Sequence, residues 1–263
     1  MSFRKFKYMQ YIFFIFLYIL SFNVKAQNIY SAIHYNDKFD VKSSKGIKKI
    51  EEITIFYNSN SSEKKRDIYH LNQYFYIIKQ EGFDSENKLN YRSTIKYKND
   101  SIKLSTNSEK NIPIYGNERS LVLYEYDIKN YLVKITKKDN YNKIFEIITF
   151  ENDSIGNPIM LVINNGEYGY EKAIYNYKSN TYSTAVFNTN NELIVSNKDI
   201  KLDFNIPDER YTYNEQNDLV KDNKYIFEYK YDKYGNWTKK VRYKLLNDKK
   251  IRDAEFSRKI TYL

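Results

Sequence analysis

The 263-residue chain carries 43 Lys and Arg against 33 Asp and Glu, a formal net charge of +10, with 29 Tyr and no cysteine. Without thiols it has no disulfide, thiolate nucleophile, Cys-ligated metal or lipid-modified N-terminal cysteine. Its basic clusters, Lys48-Lys49, Lys64-Lys65-Arg66 and Lys249-Lys250, are short and have acids nearby, which points to a solvated surface and no nucleic-acid partner.

The chain opens with a basic start (Arg4, Lys5, Lys7), an apolar run from Tyr11 to Phe22, and the small-residue site Val24-Lys25-Ala26. That is the layout of a secretory signal peptide over residues 1–26, with an apolar run too short to span a bilayer comfortably. Cleavage lowers the net charge to +6, because four basic residues and no acids are removed. An exported chain with no stable transmembrane segment after cleavage is expected. Residues 27–263 then form a single domain, in which 27–80 is a possible N-terminal cap.

Helical periodicity is weak, the best stretches being 67–73 and 247–256, whereas period-two alternation is common. The predicted strands in chain order are 29–35, 47–57, 73–83, 89–97, 101–106, 119–126, 131–138, 143–151, 159–164 and 168–177. They continue at 181–187, 192–197, 208–213, 219–221, 224–231, 237–246 and 256–262, with 198–207 as a loop closed by Pro207. With only 7 Gly and 3 Pro in the chain, Asn and Asp supply most turns.

One turn pattern recurs: an aromatic, Asp or Asn, two free positions, Gly or Asn, one free position, then Leu or Trp. Its clearest copy is Tyr231-Asp232-Lys233-Tyr234-Gly235-Asn236-Trp237. Others place Asp84 with Asn87, Asp127 with Asn130, Asn188 with Asn191, and Asn214 with Asn217; a degenerate copy places Asp153 with Gly156. Asp or Asn at the first position of a type I turn accepts hydrogen bonds from the turn backbone, and Gly or Asn three residues on tolerates positive φ. Together they code for a three-residue hairpin loop with a bulge. If Asp232 pairs with Asn236, Tyr231 faces Trp237, Tyr229 faces Lys239, Phe227 faces Val241, Tyr225 faces Tyr243 and Glu228 lies opposite Lys240. The same register sets Tyr126 against Leu132, Tyr124 against Lys134, Tyr213 against Leu219 and Tyr211 against Lys221. The fold class expected is all-β, an antiparallel meander of repeated β-hairpins forming an extended or wrapped sheet.

The copy at Tyr231–Trp237 resembles the YD repeat of RHS-type proteins, whose core is Tyr-Asp-x-x-Gly-(Arg or Asn)-(Leu or similar). Tyr126-Asp127 keeps the signature but has Asn130 in place of the glycine, and the resemblance extends over about 83–262. The intervals between turn acids or amides, 43, 26, 35, 26 and 18 residues, are less regular than in that family. The resemblance implies β-hairpin sheets that wrap into shells or serve as cell-surface and sugar-binding scaffolds. It implies no catalytic residues, and this chain is short for a closed shell.

His34 and His70, the two histidines, lack ligand spacing, so no metal or cofactor is expected. The turn acids could pass for the carboxylate pair of a glycosidase, but their fixed turn positions account for them. The reading is an exported, non-enzymatic β-repeat protein of the cell envelope, a binding or structural module for an unknown envelope protein or glycan. One alternative is a carbohydrate-binding protein that uses a face of Tyr124, Tyr211, Tyr229, Tyr231 and Trp237. Another is an outer-membrane β-barrel, against which stand Lys and Glu on both sides of many strands.

Overall fold

The computed structural model describes residues 29–34, 38–42, 45–58, 61–112, 116–202, 210–246 and 249–263. The signal segment 1–26 and Pro207 lie outside them. A six-residue helix, α1 (Ile29–His34), precedes seventeen strands. The first nine are β1 (Ile47–Tyr57), β2 (Ser62–Leu71), β3 (Ile77–Phe83), β4 (Leu89–Lys98), β5 (Ile102–Ile112), β6 (Gly116–Tyr126), β7 (Leu132–Lys138), β8 (Ile144–Asn152) and β9 (Pro158–Ile163). They are followed by β10 (Tyr170–Asn176), β11 (Thr181–Phe187), β12 (Leu193–Lys201), β13 (Thr212–Tyr213), β14 (Leu219–Lys221), β15 (Tyr225–Tyr231), β16 (Trp237–Leu246) and β17 (Lys249–Tyr262).

All pairings are antiparallel. Each strand pairs with its successor from β1 to β12 and again from β13 to β17, and β17 returns to pair with β1. The expected all-β hairpin meander is therefore the fold. The sheet is not closed into a barrel: β12 and β13, consecutive in sequence, are its two edges.

One face of the sheet is covered by a strap made of residues 29–34 and 38–42. The Ile29 N–H donates to Glu171 Oε2 on β10 at 2.6 Å, and the Lys42 N–H donates to Asn236 Oδ1, just ahead of β16, at 2.8 Å. Along the ladders β10 and β16 are eleven strand spacings apart, roughly 53 Å in a flat sheet. The 13 peptide steps from Ile29 to Lys42, partly helical, reach at most about 35 Å. The sheet must therefore curl around this segment.

Two apolar clusters lie under the strap. Ile29 packs with Ile135, Ile148, Phe150, Leu161, Ala173 and Tyr182. Phe39 and Val41 pack on Ile47, Ile50 and Leu71. The other face carries cross-strand ion pairs: Glu51–Arg66, Glu81–Arg92, Glu109–Arg119, Glu125–Lys134 and Glu255–Lys239, all between 2.8 and 3.2 Å. Residues facing bulk water on a half-covered antiparallel sheet are expected to be of this kind.

Several local expectations are corrected. Residues 29–35 were predicted as a strand, yet Ile29–His34 is a helix, because spacing of three places Ile29 and Ala32 together against the first cluster. Of the stretches with the best helical periodicity, 67–71 belongs to β2 and 249–256 to β17. In β2, Tyr69 and Leu71 meet the second cluster while His70 faces Glu81 on the other side, a two-residue period. Residues 198–201, predicted as loop, complete β12. Between residues 29 and 80, β1 and β2 are interior strands of the sheet, and 29–34 with 38–42 form the strap.

The register matches at the first pair of each hairpin and then slips by one. Tyr231 faces Trp237, but Tyr229 faces Lys240, Phe227 faces Arg242, Tyr225 faces Lys244 and Glu228 faces Val241. Likewise Tyr126 faces Leu132 while Tyr124 faces Ile135, and Tyr213 faces Leu219 while Thr212, not Tyr211, faces Lys221. The cause is a second bulge, with one extra residue directly after the first pair: Thr238, Val133 and Val220 in these hairpins.

Candidate functional site

The six turn residues adopt one geometry. At Asp232 the backbone N–H donates to Asn236 O, the Gly235 N–H returns to Asp232 O, and Oδ1 accepts the N–H groups of Tyr234 and Asn236. The bonds repeat at Asp84, Asp127, Asp153, Asn188 and Asn214. Asn87, Asn130, Gly156, Asn191, Asn217 and Gly235 all have positive φ, between 57° and 95°. In each turn the side-chain Oδ1 is thus occupied by two backbone donors. Two further copies escape the pattern. Asn72 uses Phe75 (φ 69°) at the left-handed position, and Asp139, with Asn142, is preceded by Lys138 in place of an aromatic.

The tyrosines of the expected binding face are engaged by the same turns. The Tyr231 hydroxyl lies 2.8 Å from Asp218 Oδ2 and accepts from Asn214 Nδ2 at 2.7 Å, locking the 214–218 turn. Burial, with Asp218 adding to it, pushes its hydroxyl up to about 12. Tyr229 donates to Leu219 O at 3.0 Å and stacks on Tyr231. The arrangement recurs: Tyr175 and Tyr177 bond Pro158 O and Asp153, and Tyr262 bonds Asp232 and Asn236. Tyr124 packs against the first apolar cluster on β6, with the Lys103 ammonium 5.1 Å from its ring. Tyr211 precedes β13 at the open edge, beside the Arg210 guanidinium. The five residues do not form one platform: strands β5 to β1 and β17 separate Tyr124 from Trp237.

Trp237 is only 7% exposed and sits in a charged, aromatic cluster on the covered face. The Arg258 guanidinium lies 3.5 Å from its ring centroid and the Lys240 ammonium 4.9 Å, so cations occupy the ring where a sugar would stack. Arg258 bonds Glu52 at 2.8 Å and also faces Phe39. Arg242, next along β16, pairs with Asp253. Burial pushes the Lys240 amine and the Arg258 guanidinium down and the Tyr69 phenol and Asp67 carboxyl up. The expected register hides this cluster, because it sets Lys240 opposite Glu228, whereas the slip sets it opposite Tyr229. No group of three His, Cys, Asp or Glu suited to a metal occurs among the described residues. His70 lies 3.9 Å from Glu81 on the open face; the His34 side chain is outside the described atoms.

The edge strand is the other candidate. In β3, β4, β5, β7, β9, β14 and β16 the residue after the bulge starts a ladder with the following strand: Lys79–Thr94, Tyr91–Lys110, Ser105–Leu123, Lys134–Thr149, Met160–Lys172, Lys221–Ile226 and Lys239–Ser257. In β12 the equivalent residue is Val195, after the bulged Ile194, and it has no such partner among the described residues. Leu193, Ile194 and Val195 are 58%, 62% and 47% exposed. Lys198 and the left-handed Asp199 (φ 53°) follow, a charge and a kink that limit indiscriminate edge pairing.

No family model and no curated protein matches this chain. Among solved structures it is similar to the crystal structure of a porin-like protein from Bacteroides uniformis ATCC 8492, at 13% identity and a TM-score of 0.28. The match covers 82% of this chain and 96% of that one. A score of that size does not establish a shared topology, and no property of that protein is carried over.

Proposed function

We propose that the chain is an exported, non-enzymatic β-hairpin-repeat protein of the cell envelope, acting as a binding or structural module. The observation that carries this is β12, whose exposed side continues the ladder pattern of the other strands without a partner among the described residues. Backbone groups on a free edge add a strand from another chain, while alternate side chains select it. The residues with chemical potential support the same reading, since the turn acids are held by backbone N–H groups and Tyr229 and Tyr231 lock neighbouring loops. Export rests on the basic start, the Tyr11–Phe22 run and the site at Val24-Lys25-Ala26.

A photo-crosslinking residue at Asn197, on the exposed edge, tests both parts in cells producing the full chain; Thr94, exposed on interior strand β4, is the control position. The reading requires a processed chain beginning at Gln27 outside the cytoplasm, and a discrete adduct from position 197 alone. Retention of Met1 in the cytoplasm would exclude export. Identical adducts from positions 94 and 197 would exclude the edge.

A further inference from the structure

The open, outer face of the sheet changes character toward the β12 edge. Elsewhere it carries cross-strand ion pairs, Glu51–Arg66, Glu81–Arg92, Glu109–Arg119 and Glu125–Lys134 among them. Among the described residues no ion pair joins two of the strands β8 to β12. On the face opposite the buried Leu161, Glu171 and Tyr182 lies an apolar rung, Val162–Tyr170–Phe187–Leu193, which the ladders align strand by strand out to the edge. Tyr170 stacks on Phe187 at 5.0 Å between ring centroids. In the neighbouring rung, Met160–Lys172–Ala185–Ser196, Lys172 is the single charge, and its ammonium lies 5.3 Å from the Tyr170 ring. Both rungs end on β12, where Leu193, Ile194 and Val195 are 58%, 62% and 47% exposed.

We propose that the strand added to β12 is the β12 of a second copy of this chain, paired antiparallel about a twofold axis normal to the sheet. The inference rests on the free-edge reading above and names its occupant. Three observations select a second copy. The chain has a formal net charge of +10, yet residues 144–201 hold four Lys against seven Asp and Glu, so this arm is where repulsion between copies is weakest. The other edge, β13, has two residues against nine in β12, so head-to-tail addition has little to pair with, whereas β12 on β12 is self-complementary and closes at two copies. Finally, the open face lies on the outside of the curl, so two copies cannot lay these faces flat together and meet at the edge. There Leu193, Ile194 and Val195 gain apolar cross-strand neighbours, while Lys198 and the left-handed Asp199 restrict pairing to the stretch ahead of them.

Sedimentation equilibrium of the purified protein tests this. Ile194 is the position to vary, because it is the bulged residue outside the β11 ladder and a charge there leaves the described pairing intact. The native protein is expected to be a dimer. Ile194→Lys and Ile194→Asp should each dimerise at least about tenfold more weakly, as like charges meet near the axis, and an equimolar mixture should be tighter than either alone. A crosslinker at Asn197 gives a readout without these substitutions, and should yield an adduct of twice the chain mass from the purified protein. A native protein that stays monomeric, assemblies that grow beyond two copies, or a dimer equally tight in Ile194→Lys would each overturn the inference. An adduct with a different protein in cells, alongside a monomeric purified chain, would overturn the second copy and leave the free edge standing. An adduct from position 197 to residues 203–209 of the same chain would remove both.

Discussion

Three glycines with positive φ meet different surroundings, and these should rank substitutions at them. At Gly235 (φ +80°) nothing lies within 4 Å of an added Cβ, and Asn already fills the equivalent position at 87, 130, 191 and 217. Gly235→Asn is therefore expected to cost less than about 1 kcal/mol, whereas the β-branched Gly235→Val should cost about 2 kcal/mol or more. At Gly156 the added atom would lie 2.4 Å from the Tyr131 ring, which must swing away, so Gly156→Asn should cost about 1–2 kcal/mol. At Gly169 it would lie 2.0 Å from the Phe187 carbonyl oxygen, backbone that cannot yield, and Gly169→Ala should cost over about 3 kcal/mol. Urea unfolding of the four variants checks the order; a Gly156→Asn variant as stable as Gly235→Asn would contradict the contact with Tyr131. The first two positions are legible in the sequence because the turn code names them. Gly169 is not, since its constraint comes from a strand eighteen residues away.

At the scale of elements, the hairpins were readable because each turn is specified by residues within five positions of one another. The bulge that follows is not specified this way. It is an extra residue of several types (Asn90, Val133, Ile159, Ile194, Thr238), and its regular place reflects twist relief where the strand leaves the turn. That slip hid the charged cluster, since it turns Lys240 and Arg242 inward. Helix α1 was illegible for a related reason: six residues do not hold a helix alone, and this one exists by docking. Its anchor is Glu171, 5% exposed, which accepts the Ile29 N–H while burial raises its carboxyl pKa above 4.5. A raised folded-state value means that the native state binds the proton more tightly, so this group's contribution to stability falls as pH rises through the folded value. Glu171→Gln keeps an oxygen for Ile29 and removes the buried charge. Its melting temperature should exceed that of the native protein at about pH 7, with the gap closing toward about pH 4.5. A variant less stable than native across that range would show that the charged form is favoured.

For the whole molecule, hydrogen-bond ladders fix neighbouring strands but do not set the curvature of a seventeen-strand sheet. Twist alone leaves an open surface, and the ion pairs of the uncovered face are local, each worth at most about 1 kcal/mol where solvent reaches them. What joins distant strands is the strap. Ile29 is fully buried among residues of β7 to β11, Phe39 packs on Tyr69 of β2, and Lys42 reaches Gln216, Asp218 and Asn236. These contacts bring the arm ending in β12 toward the arm ending in β13, across a gap that no described ladder closes. Strand pairing should survive without the strap, while the curl should not. Removing residues 29–42 is therefore expected to leave the β-type circular dichroism largely intact and to increase the radius of gyration in solution scattering. The exposed apolar clusters should bind a hydrophobic dye, and the arms, whose described ladders meet at β1, should melt in separate steps. An unchanged radius with one sharp transition would mean that sheet twist sets the curl and the strap merely fills it.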